Sequence, residues 1–403
     1  MLKKNVIHYA KKCYWKLKNI VRSIIGYPVI YNANRVNENK YKKRALLIYL
    51  ITPFYLKPDS PKFLNHQNLS CTVKIAHILD EFGYAVDVAD VRDKKFYPRK
   101  NYNLVFSHRV DLKNIQHYFA EDTLKVYLST GMNHIIHNRN LKKRVEDLFQ
   151  RRGCELKLSN IKFNPEYMPF ISNADAIIGF GNKFTVSTWG KFFSGPIYMV
   201  NNYGFKETKF IWSSRDYTVA KKNFVFFGGG HLMRKGLDLL LEVFSKYSDL
   251  NLYVCGLFDY DEEFKKCYYK ELYQTKNIHP IGWVQVNSKR YEELIKKCAY
   301  IIHPSCEEGQ PGAVVQCMYS GLIPIVSKES GVDVDAFGIT LENNSLAQIA
   351  ETIVRVSQLP SSWHKEHSIK TREVAEKYYS EEAFEKRFRE IMSNILKSWK
   401  GNK

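Results

Sequence analysis

Two glutamates stand side by side at 307 and 308 in the stretch YIIHPSCEEGQPGAVVQCMYSGLIPIVS, residues 300–327. A short apolar run at 300–302 leads into His303-Pro304, and Gly309 and Gly312 bend the polar segment that carries the carboxylates. A helical run over 313–319 follows, Gly321 stops it, and a second apolar run occupies 322–326. Strand, acidic loop, helix and strand make a βαβ unit, which presents ligand-binding loops at the carboxyl ends of its strands. There Glu307 and Glu308 can orient polar groups, and the helix N-terminus beside them suits an anion.

Cations and glycines gather earlier, in Gly228-Gly229-Gly230-His231-Leu232-Met233-Arg234-Lys235-Gly236, directly after the apolar run 224–227. Glycines let a backbone approach a phosphate, the helix that follows offers its N-terminus, and Arg234 and Lys235 add two charges. A third loop, residues 130–138 after the apolar run 126–129, holds His134, His137, Asn133 and Asn138. Asp259 and Asp261, like Asp333 and Asp335, have D-x-D spacing but no neighbouring cluster of His or carboxylates, so no metal is expected.

On Pro304-Ser305 and Glu308-Gly309 the 300–327 segment resembles the signature of the retaining GT-B glycosyltransferases called family 4, or group 1. The resemblance implies that Glu308 lies near the donor sugar, with Gly309 and Gln310 beside it. Eight positions on, where the family has a second glutamate that holds the nucleotide ribose, this chain has Gln316; a neutral amide can still bond a ribose. Lys235 before Gly236 matches the lysine of the family's basic pair on the donor pyrophosphate, with Gly229 and Gly230 supplying backbone. The pair's arginine stands several residues earlier, where Gly230 or His231 falls here, leaving Arg234 as the loop's other cation. Residues 278–284 look like the loop that lines the nucleotide base, through Gly282, Trp283 and Val284. From the first half, the family's histidine that reaches the donor sugar is assigned to His134, then His137, with Asn138 on the acceptor side.

These residues need strands and helices to place them. Apolar runs at 45–51, 85–88, 104–107, 126–129, 176–178 and 197–200 predict strands, with a helix over 71–82. After about residue 223 the order is strand, glycine loop, helix over 237–244, strand at 251–254, base loop, helix over 291–298, strand and glutamate loop. That order agrees with a GT-B carboxyl domain over about 110 residues, which is more specific than any one motif. The expected fold is α/β: two Rossmann-like, doubly wound parallel-sheet domains facing a cleft. The segments are 1–44, a basic helix and tether; 45–203, the acceptor-side domain; 204–222, a linker; 223–379, the nucleotide-sugar domain; and 380–403, a helix returning to the first domain.

At 403 residues the chain suits two cores. Its net charge of +20 is uneven: residues 1–44 hold twelve Lys or Arg against the single Glu38, leaving +9 for the other 359 residues. That distribution, with no nucleic-acid-binding pattern, speaks against nucleic acid as a partner. Residues 1–25 have apolar residues at helical spacing with lysines elsewhere, an amphipathic helix able to lie on an anionic membrane surface or on the protein itself. Helix 141–152 reads as basic and solvated. Eight scattered cysteines without C-x-x-C and no secretory signal read as reduced thiols of a cytoplasmic protein, peripheral to the membrane if the N-terminal helix binds it.

The resemblance therefore implies a retaining transfer of sugar from a nucleotide diphosphate to a glycan or lipid-linked acceptor, in surface polysaccharide assembly, with no cofactor. A nucleotide-sugar epimerase of the same fold and an inactive membrane-tethered scaffold are the alternatives.

Overall fold

A computed structural model describes residues 26–35, 41–109, 115–157, 169–206, 214–258 and 261–399. The expected helix at 1–25 lies outside them. Strands β1 Lys43–Tyr49, β2 Tyr84–Asp90, β3 Leu104–Ser107, β4 Leu124–Ser129, β5 Ala176–Phe180 and β6 Ile197–Val200 are ordered β2-β1-β3-β4-β5-β6. Strands β7 Asn223–Phe227, β8 Asn251–Cys255, β9 Ile278–Pro280, β10 Tyr300–His303, β11 Ile323–Ser327 and β12 Ile339–Leu341 are ordered β12-β11-β10-β7-β8-β9, every pairing parallel. Two six-stranded sheets with crossover helices make the chain a two-domain α/β protein of the expected architecture.

The longer helices are α1 Gln67–Glu81, α2 His134–Arg152, α3 Leu237–Phe244, α4 Glu262–Cys267, α5 Tyr269–Gln274, α6 Lys289–Lys297, α7 Gly312–Tyr319, α8 Leu346–Gln358, α9 Ser361–Tyr378 and α10 Glu381–Trp399. The chain divides into two compact units, one of Met1–Ser60, Asn68–Leu128 and Tyr167–Asp175, the other of Pro61–Gln67, Ser129–Glu166 and Ala176–Lys403.

In the first unit β1 is fully paired with β2, from Lys43 beside Tyr84 to Tyr49 beside Asp90. Residues 31–35, expected as part of a loose tether, lie instead against the outer edge of β2. Ile30 and Val88 exchange both backbone hydrogen bonds, and Ala33 N–H donates to Val86 O at 2.7 Å. The Asn34 side chain then accepts from Val86 N–H and donates to Tyr84 O, and Tyr27 N–H donates to Asp93. Short asparagine side chains can hydrogen-bond nearby backbone, which is why a polar run need not be a free one.

In the second unit β7 shows how one strand feeds two cores. Phe224 and Phe226 face a cluster with Leu237, Leu240 and Phe244 of α3, while Val225 and Phe227 face Leu294 and Ile295 of α6 and Val314 and Val315 of α7. Alternation at period two, apolar on both faces, is what a buried parallel strand requires. Leu141 and Leu148 of α2 join the first cluster, and Phe384 of α10 stacks on Phe180 of β5.

Helix α2 corrects two sequence expectations. It begins at His134, capped by the Asn133 side chain on Ile135 N–H, so His134, His137 and Asn138 are helical rather than in a loop. Its basic end is not simply solvated: Arg144 and Arg151 pair with the buried Asp238, Arg151 also with Glu242, and Arg152 with Glu271. A disulfide, Cys154–Cys267, closes the same contact across 113 residues, which overturns the reading of all cysteines as free thiols. No local spacing signals a pair that only the fold brings together.

Candidate active site

The glycine loop after β7 and the glutamate loop after β10 leave neighbouring strands, so the chain must bring both to one sheet edge. Gly236 sets the approach. Its φ is +87°, and a Cβ there would lie 2.3 Å from Pro304 O, so only glycine allows the loops to touch. Cys306 N–H donates to Arg234 O at 3.0 Å, fastening the loops together by backbone. On the other side, His137, Asn140 and Arg144 lie on one face of α2. His137 meets Glu307, the Asn140 amide donates to Cys306 O, and the Arg144 guanidinium donates to Pro304 O.

The charges converge on the two glutamates. Glu307 is fully buried; one oxygen is bound by Arg234 Nη1, and the other lies 2.5 Å from His137 Nδ1. Oε1 of Glu308 is ringed by Arg234 Nη2 at 3.7 Å, Lys235 Nζ at 3.8 Å and His303 Nε2 at 3.9 Å. Burial alone would raise the pKa of Glu308, but the Arg234 and Lys235 cations hold it well below the usual carboxylate range. Burial and Arg234 push Lys235 down, against the pull of Glu308. Burial, then Arg234 and Lys235, lower His231 to about 4, so its ring is neutral near neutral pH. All three distances to Glu308 Oε1 exceed hydrogen-bond length, so these are charge contacts rather than hydrogen bonds.

Of the residues singled out in the sequence, Arg234, Lys235 and Glu308 are brought together. The Trp283 ring, 44% exposed, lies 3.9 Å from where a Gly229 Cβ would be, so the base loop and the glycine loop share a wall. Gly230 has open space beside it, Gly282 takes a positive φ at the turn, and Val284 is buried in the core. Gly309 is packed so tightly on Thr130 that a Cβ would lie 2.3 Å from its carbonyl oxygen.

Others face elsewhere. Gln316 is fully buried, with its amide oxygen accepting from Phe205 N–H at 2.7 Å and its amide nitrogen donating to Phe205 O at 2.9 Å. Both ends of the amide are thus taken by the Phe205 backbone, where the resemblance implied a ribose. Gln310 likewise bonds Asn202 N–H and Gly331 O. His134 is buried edge-on against Trp189, centroids 5.4 Å apart, so of the two histidines it is His137 that meets the glutamate pair. Asn138 is half-buried on the same helix.

Sequence reasoning missed the roles of Glu307, His303, Asn140 and Arg144. The signal available was polar residues at 137, 140 and 144, one helical face. Asp333 is bonded by the Asn182 amide and Asp335 by the Thr340 hydroxyl, and no metal-holding group of three or more His, Cys, Asp or Glu occurs among the described residues.

Residues 212–378, which hold both charged loops, match the family model described as glycosyl transferases group 1. That stretch is similar to the group 1 glycosyltransferases. Solved structures show the same fold. Sucrose-phosphate synthase from Thermosynechococcus elongatus is 12% identical over 89% of this chain and 100% of that one, with a TM-score of 0.59. Anabaena Alr3699/HepE in complex with UDP-glucose is 12% identical over 87% and 99%, with a TM-score of 0.54. A TarM variant from S. aureus, in complex with fondaparinux, alpha-GlcNAc-glycerol and UDP, is 15% identical over 72% and 55%, with a TM-score of 0.50. The chain thus spans about half the length of the TarM structures it matches. No curated protein matches it.

Proposed function

We propose that the protein is a retaining glycosyltransferase that takes a sugar from a nucleotide diphosphate and places it on a glycan or lipid-linked acceptor in surface polysaccharide assembly. One observation carries the reading: two cations, Arg234 and Lys235, and one ionised carboxylate, Glu308, meet where β7 and β10 end. The cations, with the Gly229–Gly230 backbone, bind the diphosphate and stabilise the charge that grows on it as it departs. Glu308 accepts hydrogen bonds from the sugar, and Trp283 offers its exposed face to the base. The sugar's bond to the phosphate oxygen breaks while the acceptor oxygen bonds the same carbon from the same face. The acceptor's proton passes to the leaving phosphate, so no basic side chain is required. The HepE and TarM structures hold UDP or a UDP-sugar, which makes UDP the first nucleotide to try. No protein-bound metal or other cofactor takes part, and the working place is the cytoplasm, at the membrane face if residues 1–25 bind it. No helix among the described residues is long and apolar enough to cross one.

The test is a thermal-shift screen against UDP, ADP, GDP and their sugars. A ligand at about 100 times its dissociation constant adds roughly 2.7 kcal/mol. Stabilisation by one nucleotide family, lost in Lys235→Ala and Glu308→Ala, is expected. No response to any would favour a scaffold, and turnover without acceptor to a free epimerised product would favour an epimerase.

A further inference from the structure

We infer that Glu307 is a positioning residue: its buried carboxylate aims Arg234 at the donor diphosphate and ties that aim to α2. This rests on the donor reading above. Arg234 and Lys235 are adjacent in sequence, and neighbouring side chains in a turn ordinarily diverge. Here both reach the same oxygen of Glu308, at 3.7 and 3.8 Å. The Arg234 fork can do so because its Nη1 is bound by Glu307, which leaves Nη2 facing Glu308. The other oxygen of Glu307 lies 2.5 Å from His137 Nδ1, and its loop is held on α2 through Asn140 to Cys306 O and Arg144 to Pro304 O.

A buried ion pair adds little stability over an apolar contact of the same shape. What Glu307 adds is direction, since a guanidinium is a rigid planar fork and binding one arm orients the other. The nearby Lys235 and Glu308 would touch the donor directly, whereas Glu307, at 0% exposure, acts through Arg234.

The experiment compares UDP with uridine on the full chain by calorimetry. In Glu307→Gln, which keeps the shape and removes the charge, UDP affinity should fall roughly tenfold while uridine affinity stays within about twofold. In an Arg234→Ala background, adding Glu307→Gln should cost UDP nothing further, because the residue acts through the arginine already removed. A melting curve checks that each variant folds. Should Glu307→Gln unfold, Glu307→Asp, charged but one methylene shorter, should show the same UDP-selective loss. Wild-type UDP affinity in these variants, or equal losses for UDP and uridine, would overturn the inference. A wild-type protein that binds none of UDP, ADP or GDP would instead remove the donor reading on which it stands.

Discussion

Glu308 carries its charge among three nitrogen-bearing side chains, and that has a consequence for acid stability. Burial by itself would raise its pKa, and the neighbouring cations reverse this, so its folded value lies below the unfolded value of about 4.3. A carboxylate of that kind stabilises the fold fully above the unfolded value and loses its contribution as pH falls through the folded one. The melting-temperature difference between wild type and Glu308→Gln should be constant from about pH 8 to pH 5 and close below about pH 4. A difference that closed between pH 7 and 6 would mean a carboxyl of raised pKa and would refute the cation cluster. That Glu308 and Lys235 stand in two loops leaving neighbouring strands was legible in the sequence, because each sits next to a glycine at the end of an apolar run. Gln316 was not, because its partner Phe205 lies 111 residues away and the peptide groups it satisfies carry no side-chain signature. Glu307 was visible as a residue but not as a role, since Arg234 and His137 meet it only in the folded chain.

At the scale of elements, the strands were read from apolar runs and the helices from their glycine stops. β3 and β6 have the bounds the sequence predicted, and β7 and β10 differ by one residue at one end. Elements shorter or more polar than that, such as β12 and α4, left no periodic signal. Helix α2 was misread for a definite reason: its cations are balanced by Asp238, Glu242 and Glu271, which belong to other helices. Its far end is then closed by Cys154–Cys267. In chain-entropy terms a bridge over a loop of this length contributes up to about 4–5 kcal/mol. Reductant should therefore lower the melting temperature of the wild type and leave that of a Cys154→Ser/Cys267→Ser variant unchanged. If both were equally indifferent to reductant, the two thiols would be unlinked in the working protein.

For the whole molecule, the alternation of strand and helix was enough to predict two parallel sheets, because few topologies satisfy that order. What it could not show was how the outermost strand of the first sheet is finished. Residues 31–35 read as part of a tether in sequence, yet Ala33 and Asn34, with Ile30 before them, occupy backbone groups of β2 that would otherwise face water. An open strand edge is a template on which other chains can assemble. The short strap is therefore expected to reduce self-association. A chain beginning at residue 26 should stay monodisperse in light scattering, whereas one beginning at residue 36 should form concentration-dependent aggregates, and equal behaviour of the two would deny the strap that task. It follows that any truncation meant to ask whether residues 1–25 hold the protein to a membrane has to stop short of Gly26. Cut further, the preparation would sediment with or without vesicles, and stickiness between protein molecules would be mistaken for affinity for lipid.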